Sequence, residues 1–310
     1  MNKEISYFLI FTILLFGLIS SQNTFAQCGC MSSLSVGTLS PNIGSSSTGT
    51  MRQGHLFTNL AGNYIFGDKY WSDWDEVPAQ TVKQFENYSI FLLTSLGITN
   101  HLTLDMNLGY VLRNYINAPP FEYNRSGLNN LEVLGKYNLY YNPRSDFEIT
   151  GGLGGKIPLQ MVSDTNYKYT QTSQGAFASI YQIFLHKGFK ESEIHLFLIH
   201  RGELSVKNSA DYLYGPYFIN SLITTKPISD NFIGLVELKN ELKLQDENAG
   251  VMNYDSGFMN LILSPQIIFS VSNFTCGIKY ELPILRYYHG SQASKNYSLN
   301  LNIGYTTKIF

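Results

Sequence analysis

Charged residues recur at every second position in several segments of the chain, and these residues are the ones most able to carry chemistry here. Glu237, Lys239, Glu241 and Lys243 follow this spacing and alternate in sign. Because successive side chains of a β-strand point to opposite faces, the spacing puts all four charges on one face of a strand. Such a face can bind water and polar solutes, or it can pair with charges on neighbouring strands.

The same spacing, followed along the whole chain, gives a larger set of charged residues on the polar faces of predicted strands. We expect this set to line the lumen of a closed barrel, because charges facing a water-filled lumen are tolerated where charges facing lipid are not. Two alternatives remain open. The lumen passes a solute, or the charges pair across it and fill it, which leaves a structural barrel. The predicted lumen-lining residues are Asp105, Arg113, Glu132, Lys136, Glu148, Lys156, Arg201, Glu203, Glu237, Lys239, Glu241, Lys243, Lys279 and Glu281.

Strands must position these charges, and the sequence offers about twelve candidates of roughly 10 to 15 residues with alternating apolar and polar residues. In the clearest of them, Leu102, Leu104 and Met106 alternate with polar residues. No stretch downstream of the N-terminus approaches 18 uninterrupted apolar residues, so any membrane crossing falls to strands. The sequence therefore predicts an all-β fold, an antiparallel transmembrane β-barrel of about twelve strands.

The connections between the predicted strands alternate in length. Short turns on the periplasmic side and long loops on the outer side are typical of bacterial outer-membrane barrels, and an even strand count puts both termini in the periplasm. Aromatic residues near the strand ends, Tyr217 among them, predict girdles at the two membrane interfaces. The short links are predicted at 99–100, 142–145, 187–188, 227–230 and 272–273, and the long loops at 67–84, 114–126, 161–174, 245–256 and 288–296.

Composition supports contact with lipid. Charged residues make up 14% of the chain, against roughly 25% in an ordinary soluble domain. Aromatic residues also reach 14%, with 22 Tyr and 20 Phe. The net charge of -2 argues against a basic surface for nucleic acid, so that class of partner is excluded.

The N-terminal segment predicts export. Lys3 precedes an apolar run at 7–19, which is shorter than the roughly 20 residues that a spanning helix needs. We predict a cleaved signal peptide at 1–26, a flexible periplasmic leader at 27–51 and the barrel at 52–310. The predicted location is the outer membrane, and the predicted partners are membrane lipid and a small-molecule solute. The aromatic residue Phe310 resembles the last residue of other outer-membrane barrels, and this resemblance implies the barrel-assembly machinery as a further partner.

The sequence offers little for a metal ion. Cys28 and Cys30 supply two thiols, which are too few ligands for a soft-metal site, and no nearby His or Cys completes one. The acidic residues at 68–76 lack the glycine and terminal glutamate of a calcium loop. We therefore predict neither a metal site nor a cofactor.

An outer-membrane lipid hydrolase is the enzyme class to weigh against a channel. If His200 and Ser221 faced lipid side by side on neighbouring strands, the histidine could serve as base for a serine nucleophile. The sequence shows no Asn or carboxylate placed to orient His200, and a chance pairing of two polar residues explains the pattern better. We therefore predict that the protein is not an enzyme.

Two motifs resemble a known family. Residues 149–158, Ile-Thr-Gly-Gly-Leu-Gly-Gly-Lys-Ile-Pro, resemble the glycine-rich strand of the outer-membrane family named for the MetA pathway of phenol degradation. After the proline of this motif, residues 159–160 are Leu-Gln where the family pattern usually continues Thr-Gly. Residues 282–286, with the strand at 297–310, are similar to the end of such proteins. The resemblance implies a transporter of a small, often aromatic, compound. The strand count separately predicts a narrow lumen, and the mixture of charged and apolar residues on the inward faces fits a moderately apolar solute. The sequence thus predicts an outer-membrane channel or transporter for a small, aromatic or moderately apolar solute.

Overall fold

A computed structural model describes residues 49–79, 82–160 and 172–310. The predicted signal peptide and most of the predicted leader, including Cys28 and Cys30, lie outside the described residues. Within the described ranges, no helix is both long and apolar enough to span a membrane. These ranges are built from 17 β-strands.

Twelve of the strands form one closed antiparallel barrel, which confirms the predicted fold. Each barrel strand pairs with the barrel strands before and after it in the chain, and the last pairs with the first, His55 opposite Lys308. Closure leaves the barrel sheet without an open edge, so its backbone groups can be paired within lipid. The barrel strands are β1 (His55–Gly67), β4 (Gln84–Gly97), β5 (Leu102–Ala118), β6 (Phe121–Asn142), β7 (Phe147–Pro158), β8 (Ala178–Phe189), β9 (Ile194–Ser205), β11 (Tyr217–Ser229), β12 (Phe232–Lys243), β15 (Phe258–Val271), β16 (Phe274–Ser294) and β17 (Tyr297–Lys308).

Five shorter strands lie in the long connections at one end of the barrel. β2 (Lys69–Asp73) pairs with the far part of β16, and β3 (Asp75–Val77) pairs with β2. β10 (Tyr212–Leu213), β13 (Asp246–Asn248) and β14 (Val251–Asn253) form a separate three-stranded sheet. The long-loop end, which we assign to the cell exterior because long loops face outward in bacterial barrels, therefore carries regular structure of its own.

Short turns close the opposite end, which by the same rule faces the periplasm. Their positions differ from the prediction where a glycine or proline lies inside a strand. Gly188 of the predicted link at 187–188 pairs with His195 within the β8–β9 ladder, and Pro227 pairs with Ile233 before a bulge near the end of β11. The turns that join consecutive barrel strands lie at 98–101, 143–146, 190–193, 230–231 and 272–273.

Two of the predicted long loops are mostly strand. Residues 114–118 and 121–126 continue β5 and β6 as a paired hairpin, and residues 288–294 continue β16, which pairs there with β2. Bulges break the alternation of apolar and polar residues in both places. The alternation therefore predicted strands that are too short there.

The outer surface of the barrel is apolar. On β17, Leu301, Ile303 and Tyr305 are each more than half exposed, whereas Ser298 and Asn300 on the opposite parity are buried in the interior. A continuous belt of exposed apolar side chains is unfavourable in water and marks a surface that contacts lipid. The two faces of the strands therefore separate a lipid-facing exterior from a polar interior.

Candidate functional site

The most heavily charged part of the barrel interior is centred on Glu281 of β16. Its carboxylate oxygens lie 2.8 Å from Nζ of Lys239, 3.1 Å from Nζ of Lys279 and 3.0 Å from Nζ of Lys295. The Ser298 hydroxyl donates a hydrogen bond of 2.8 Å to the same carboxylate. One buried glutamate thus gathers three ammonium groups that have little contact with solvent.

Two further carboxylates balance these ammonium groups. Glu237 Oε2 lies 2.6 Å from Lys279 Nζ, and Glu241 Oε1 lies 2.9 Å from Lys239 Nζ. Three lysines and three glutamates leave the group with no net charge, which matters because a buried charge without a partner costs several kcal/mol. We call this group the lumen network, and it consists of Glu237, Lys239, Glu241, Lys279, Glu281 and Lys295.

Among the residues that the structure describes, four more ion pairs lie inside the barrel. Arg201 of β9 reaches Glu132 of β6, three strands away, so this pair crosses part of the lumen. Because the two members of each pair carry opposite charges, the interior contains charges of both signs without a large excess of either. The pairs are Lys136 with Asp105 at 2.8 Å, Arg201 with Glu132 at 2.9 Å, Lys243 with Asp246 at 2.7 Å, and Lys156 with Glu203 in direct contact.

Glu148 lies deeper, near the short-turn end. Its Oε1 accepts hydrogen bonds from Asn138 Nδ2 at 2.9 Å and from Thr150 Oγ1 at 2.8 Å. The structure places all of the predicted lumen residues except Arg113 on the inner face of the barrel.

Arg113 is the exception, and the predicted position in the lumen is wrong. Ser89 of β4 pairs with Val111, whereas the preceding residue Tyr88 pairs with Arg113, so β5 carries one extra residue at this point. A bulge of this kind reverses the parity beyond it. Arg113 therefore shares the outer face with Tyr88, and its guanidinium carbon lies 4.8 Å from the centre of the Tyr115 ring.

Apolar side chains share the interior with these charges. A buried cluster fills the short-turn half of the barrel on one side, below the lumen network, and Phe197 and Phe184 pack at its centre with ring centroids 5.9 Å apart. The interior therefore combines an apolar wall with a charged one. The cluster contains Phe184, Phe197, Ile199, Ile223, Leu235 and Ile268.

Comparison with known proteins bears on the fold. No family model and no curated protein matches the sequence. Among solved structures, the COG4313 outer membrane channel from Pseudomonas putida F1 matches with a TM-score of 0.71 and 11% identity, over 83% of this chain and 97% of that chain. This chain folds as an outer-membrane β-barrel.

Two weaker matches are to the translocator domain of the autotransporter NalP from Neisseria meningitidis and to the NanC porin. The first has a TM-score of 0.49 and 9% identity over 82% of this chain and 89% of that chain. The second has a TM-score of 0.48 and 10% identity over 82% of this chain and 100% of that chain. Neither score is high enough to support an argument about this protein.

The end of the predicted leader enters this outer-membrane barrel from its short-turn side. The Met51 N–H donates a hydrogen bond of 2.7 Å to Thr103 Oγ1 on β5. Gly49 packs against Glu148 and Thr150 of β7, where a side chain on the glycine would collide with both residues. The chain therefore narrows the periplasmic end of the lumen before β1 begins.

The first long connection covers the opposite end. Tyr70 of β2 is buried against the inner wall, and its hydroxyl accepts a hydrogen bond of 2.7 Å from the Val82 N–H. Trp71 packs near Tyr217 and Phe258, and the guanidinium carbon of Arg286 lies 5.2 Å from its ring centre. Tyr217 thus faces the interior, which corrects its prediction as a girdle residue.

The structure contradicts the lipid-hydrolase arrangement. Ser221 pairs with Ile199 and Lys239 on its two neighbouring strands and is buried inside the barrel. His200 faces outward, and its Nδ1 lies 2.7 Å from Asn220 Oδ1. Both parities of β11 contain apolar residues, so alternation alone could not decide which face of this strand meets lipid. The register of β11 with β9 and β12 shows that Ser221 lies on the inner face.

Lys295 and Asp246 belong to the charged interior, although sequence reasoning missed both because they lay in predicted loops. Asp246 accepts hydrogen bonds from the Tyr212 hydroxyl at 2.6 Å and from the Gly215 N–H at 2.8 Å. Burial and the neighbouring Asp246 carboxylate raise the pKa of Tyr212 well above its ordinary value. No period-two signal marks either residue, since bulges and short loop strands interrupt the pattern around them.

Proposed function

We propose that the protein is an outer-membrane channel for a small, moderately apolar solute. The observation that carries the proposal is the neutral lumen network, which lies beside an apolar wall inside a barrel whose outer face is suited to lipid. A solute with an apolar body and a polar end would find partners for both parts in such a lumen.

The charges themselves argue against a purely structural interior. A buried ion pair often contributes little to stability, and replacement by well-packed apolar residues is frequently neutral or stabilising. A barrel that needed only a solid core could therefore use apolar residues throughout. Side chains that pair with one another when the lumen is narrow can instead bind water or solute when it widens.

The conformation of the barrel corresponds to a closed state of the proposed channel. Side chains of the lumen network are at most 12% exposed, and Met51 and Tyr70 are buried at the two ends. A twelve-stranded barrel lies between the eight-stranded barrels that side chains fill and the 16- to 18-stranded porins with open channels. Opening would require the end of the leader or the first long connection to move.

The resemblance to the MetA-pathway family supports a small aromatic compound as the solute. The COG4313 protein carries the word channel in its own description, and its shared fold is compatible with the same role for this chain.

The deciding experiment measures conductance of the purified barrel in a planar bilayer. Discrete current steps are expected, and swelling of liposomes that contain the barrel should be faster with benzoate than with a disaccharide of larger cross-section. A barrel that passes no current at any voltage, with or without benzoate, and no solute in the swelling assay would instead be a structural scaffold.

A further inference from the structure

Three potential metal ligands meet at the periplasmic end of the interior, away from the lumen network. Asp146 lies in the turn between β6 and β7, His186 on β8 and His195 on β9. One carboxylate oxygen and one nitrogen from each ring all lie within 4.8 Å of one another. We propose that these three residues bind a divalent first-row transition metal ion, with Zn²⁺ as the representative of its class.

The distances suit such an ion. His186 Nε2 lies 3.0 Å from His195 Nδ1, and His195 Nδ1 lies 3.9 Å from Asp146 Oδ2. With metal–ligand bonds of about 2.0 Å at a tetrahedral angle, two ligand atoms are separated by about 3.3 Å. The two imidazole nitrogens are already near this separation, whereas the Asp146 carboxylate, which lies within 4.8 Å of both, would approach them by up to about 1.5 Å to share one ion.

The surrounding structure holds the two imidazoles in place. Their planes differ by 17°, and the His186 ring stacks on Phe197 with centroids 4.8 Å apart. Because the rings are fixed before any ion arrives, binding would require little further ordering of side chains.

Gly188 makes room for the carboxylate. A Cβ atom at this position would overlap Asp146 Oδ2 and would lie 3.1 Å from His195 Nδ1. Any larger residue would therefore push Asp146 away from the histidines. The backbone reinforces the arrangement, since the Gly188 N–H donates a hydrogen bond of 2.8 Å to the Asp146 carbonyl.

The donor set selects the kind of ion. Two imidazole nitrogens and one carboxylate oxygen favour Zn²⁺, Ni²⁺, Co²⁺ or Cu²⁺ over Mg²⁺ and Ca²⁺, which prefer all-oxygen sites. Three protein ligands leave a fourth tetrahedral position for water or a bound solute. Glu148 lies opposite His186 in the β7–β8 register. We do not include it among the ligands, because its Oε1 already accepts hydrogen bonds from Asn138 and Thr150.

The test is a calorimetric titration of the full-length chain, purified in detergent without a histidine tag, with ZnCl₂. One Zn²⁺ ion per chain is expected. Removal of a ligand in His186→Ala or His195→Ala should weaken binding by at least the roughly 10- to 100-fold that changes around metal sites typically cost. Gly188→Ala should weaken it comparably while all three ligands remain in the chain.

Matched variants make the result specific. His101→Ala removes an exposed histidine of the short-turn end that lies outside the cluster, and it should leave binding unchanged. Joint replacement of Cys28 and Cys30 by serine should leave binding unchanged as well. Each variant is first checked for the mobility shift of a folded barrel on unheated gels. The proposal is overturned if the folded wild-type protein binds no Zn²⁺, or if the cluster variants bind it as tightly as His101→Ala does. The titration does not depend on whether the barrel conducts.

Discussion

Replacing Glu281 by glutamine should destabilise the barrel, because Glu281 is the carboxylate that three lysines share. The substitution keeps the shape of the side chain and removes its charge, so the lumen network changes from neutral to a net charge of +1. Breaking a buried ion pair by removing one partner typically costs about 3 to 5 kcal/mol. We expect a loss of this size in the free energy of unfolding of Glu281→Gln.

The contact geometry shows why the cost is not larger. Three contacts between 2.8 and 3.1 Å each correspond to a gross attraction of about 5 kcal/mol at an effective dielectric constant of about 20. Much of that attraction offsets the desolvation of the ammonium groups and the repulsion among them. Glu237 and Glu241 also remain as partners for the three lysines, although Lys295 Nζ lies 3.9 Å from Glu241 Oε1.

The assay is urea unfolding of the barrel in lipid vesicles, followed by the gel mobility of the folded form. Combining Glu281→Gln with Lys279→Met restores neutrality and should recover part of the lost stability. Glu76→Gln is the control, because its 2.7 Å contact with Lys69 is solvent-exposed and exposed pairs contribute about 0 to 1 kcal/mol. Equal losses for Glu281→Gln and Glu76→Gln would refute the argument from burial. If the barrel conducts, Glu281→Gln should also shift its ion preference toward anions.

Further predictions concern the lipid-facing surface, the leader, the topology and the enzyme alternative. Val236→Arg should impair membrane insertion by about 2 to 4 kcal/mol relative to Val236→Ala, because Val236 is exposed on the outer face; equal yields of folded barrel would contradict that orientation. Deleting residues 27–51 should raise single-channel conductance, since the end of this segment narrows the lumen, and unchanged current steps would count against a closing role. A cysteine at Gly250 should react with an impermeant maleimide on intact cells whereas one at Arg144 should not, and equal labelling would reject the assigned topology. Ser221→Ala should not alter fatty-acid release from micelles, because Ser221 faces the interior, and a loss of release would revive the enzyme alternative.

Alternation alone predicted the barrel because each strand separates lipid from the interior. Leu104 and Met106 on the outside and Asp105 on the inside show the separation within three residues. The same rule failed at Arg113, where one extra residue in β5 reverses the faces. It also failed at Ser221, because apolar residues occur on both faces of β11. Bulges and registers depend on the partner strand, which a pattern within one segment does not contain.

The pairing of the charges could not be predicted for the same reason. The spacing of Glu237 and Lys239 placed both on an inner face, but only the closed barrel shows that Lys239 reaches Glu281 on β16. The histidine group is a stronger example. His186 and His195 meet across one hairpin, and Asp146 joins them from a turn 40 residues earlier in the chain than His186. No local motif marks such a site.

The seam between the first and last barrel strands has a consequence for how the molecule assembles. Every other barrel pairing joins consecutive barrel strands, so hairpins can form in the order of synthesis, whereas His55 finds Lys308 only after 252 intervening residues have been made. This one pairing gives the barrel its most non-local contacts, which slow folding. Until it forms, β1 and β17 both present unpaired backbone, a template for association with other chains. The Ile309 N–H, which donates a hydrogen bond of 2.7 Å to the Gly54 carbonyl, extends this seam beyond the last strand. Loss of the final residues would therefore weaken the pairing of β1 with β17, whose formation is the slowest and most aggregation-sensitive step of assembly.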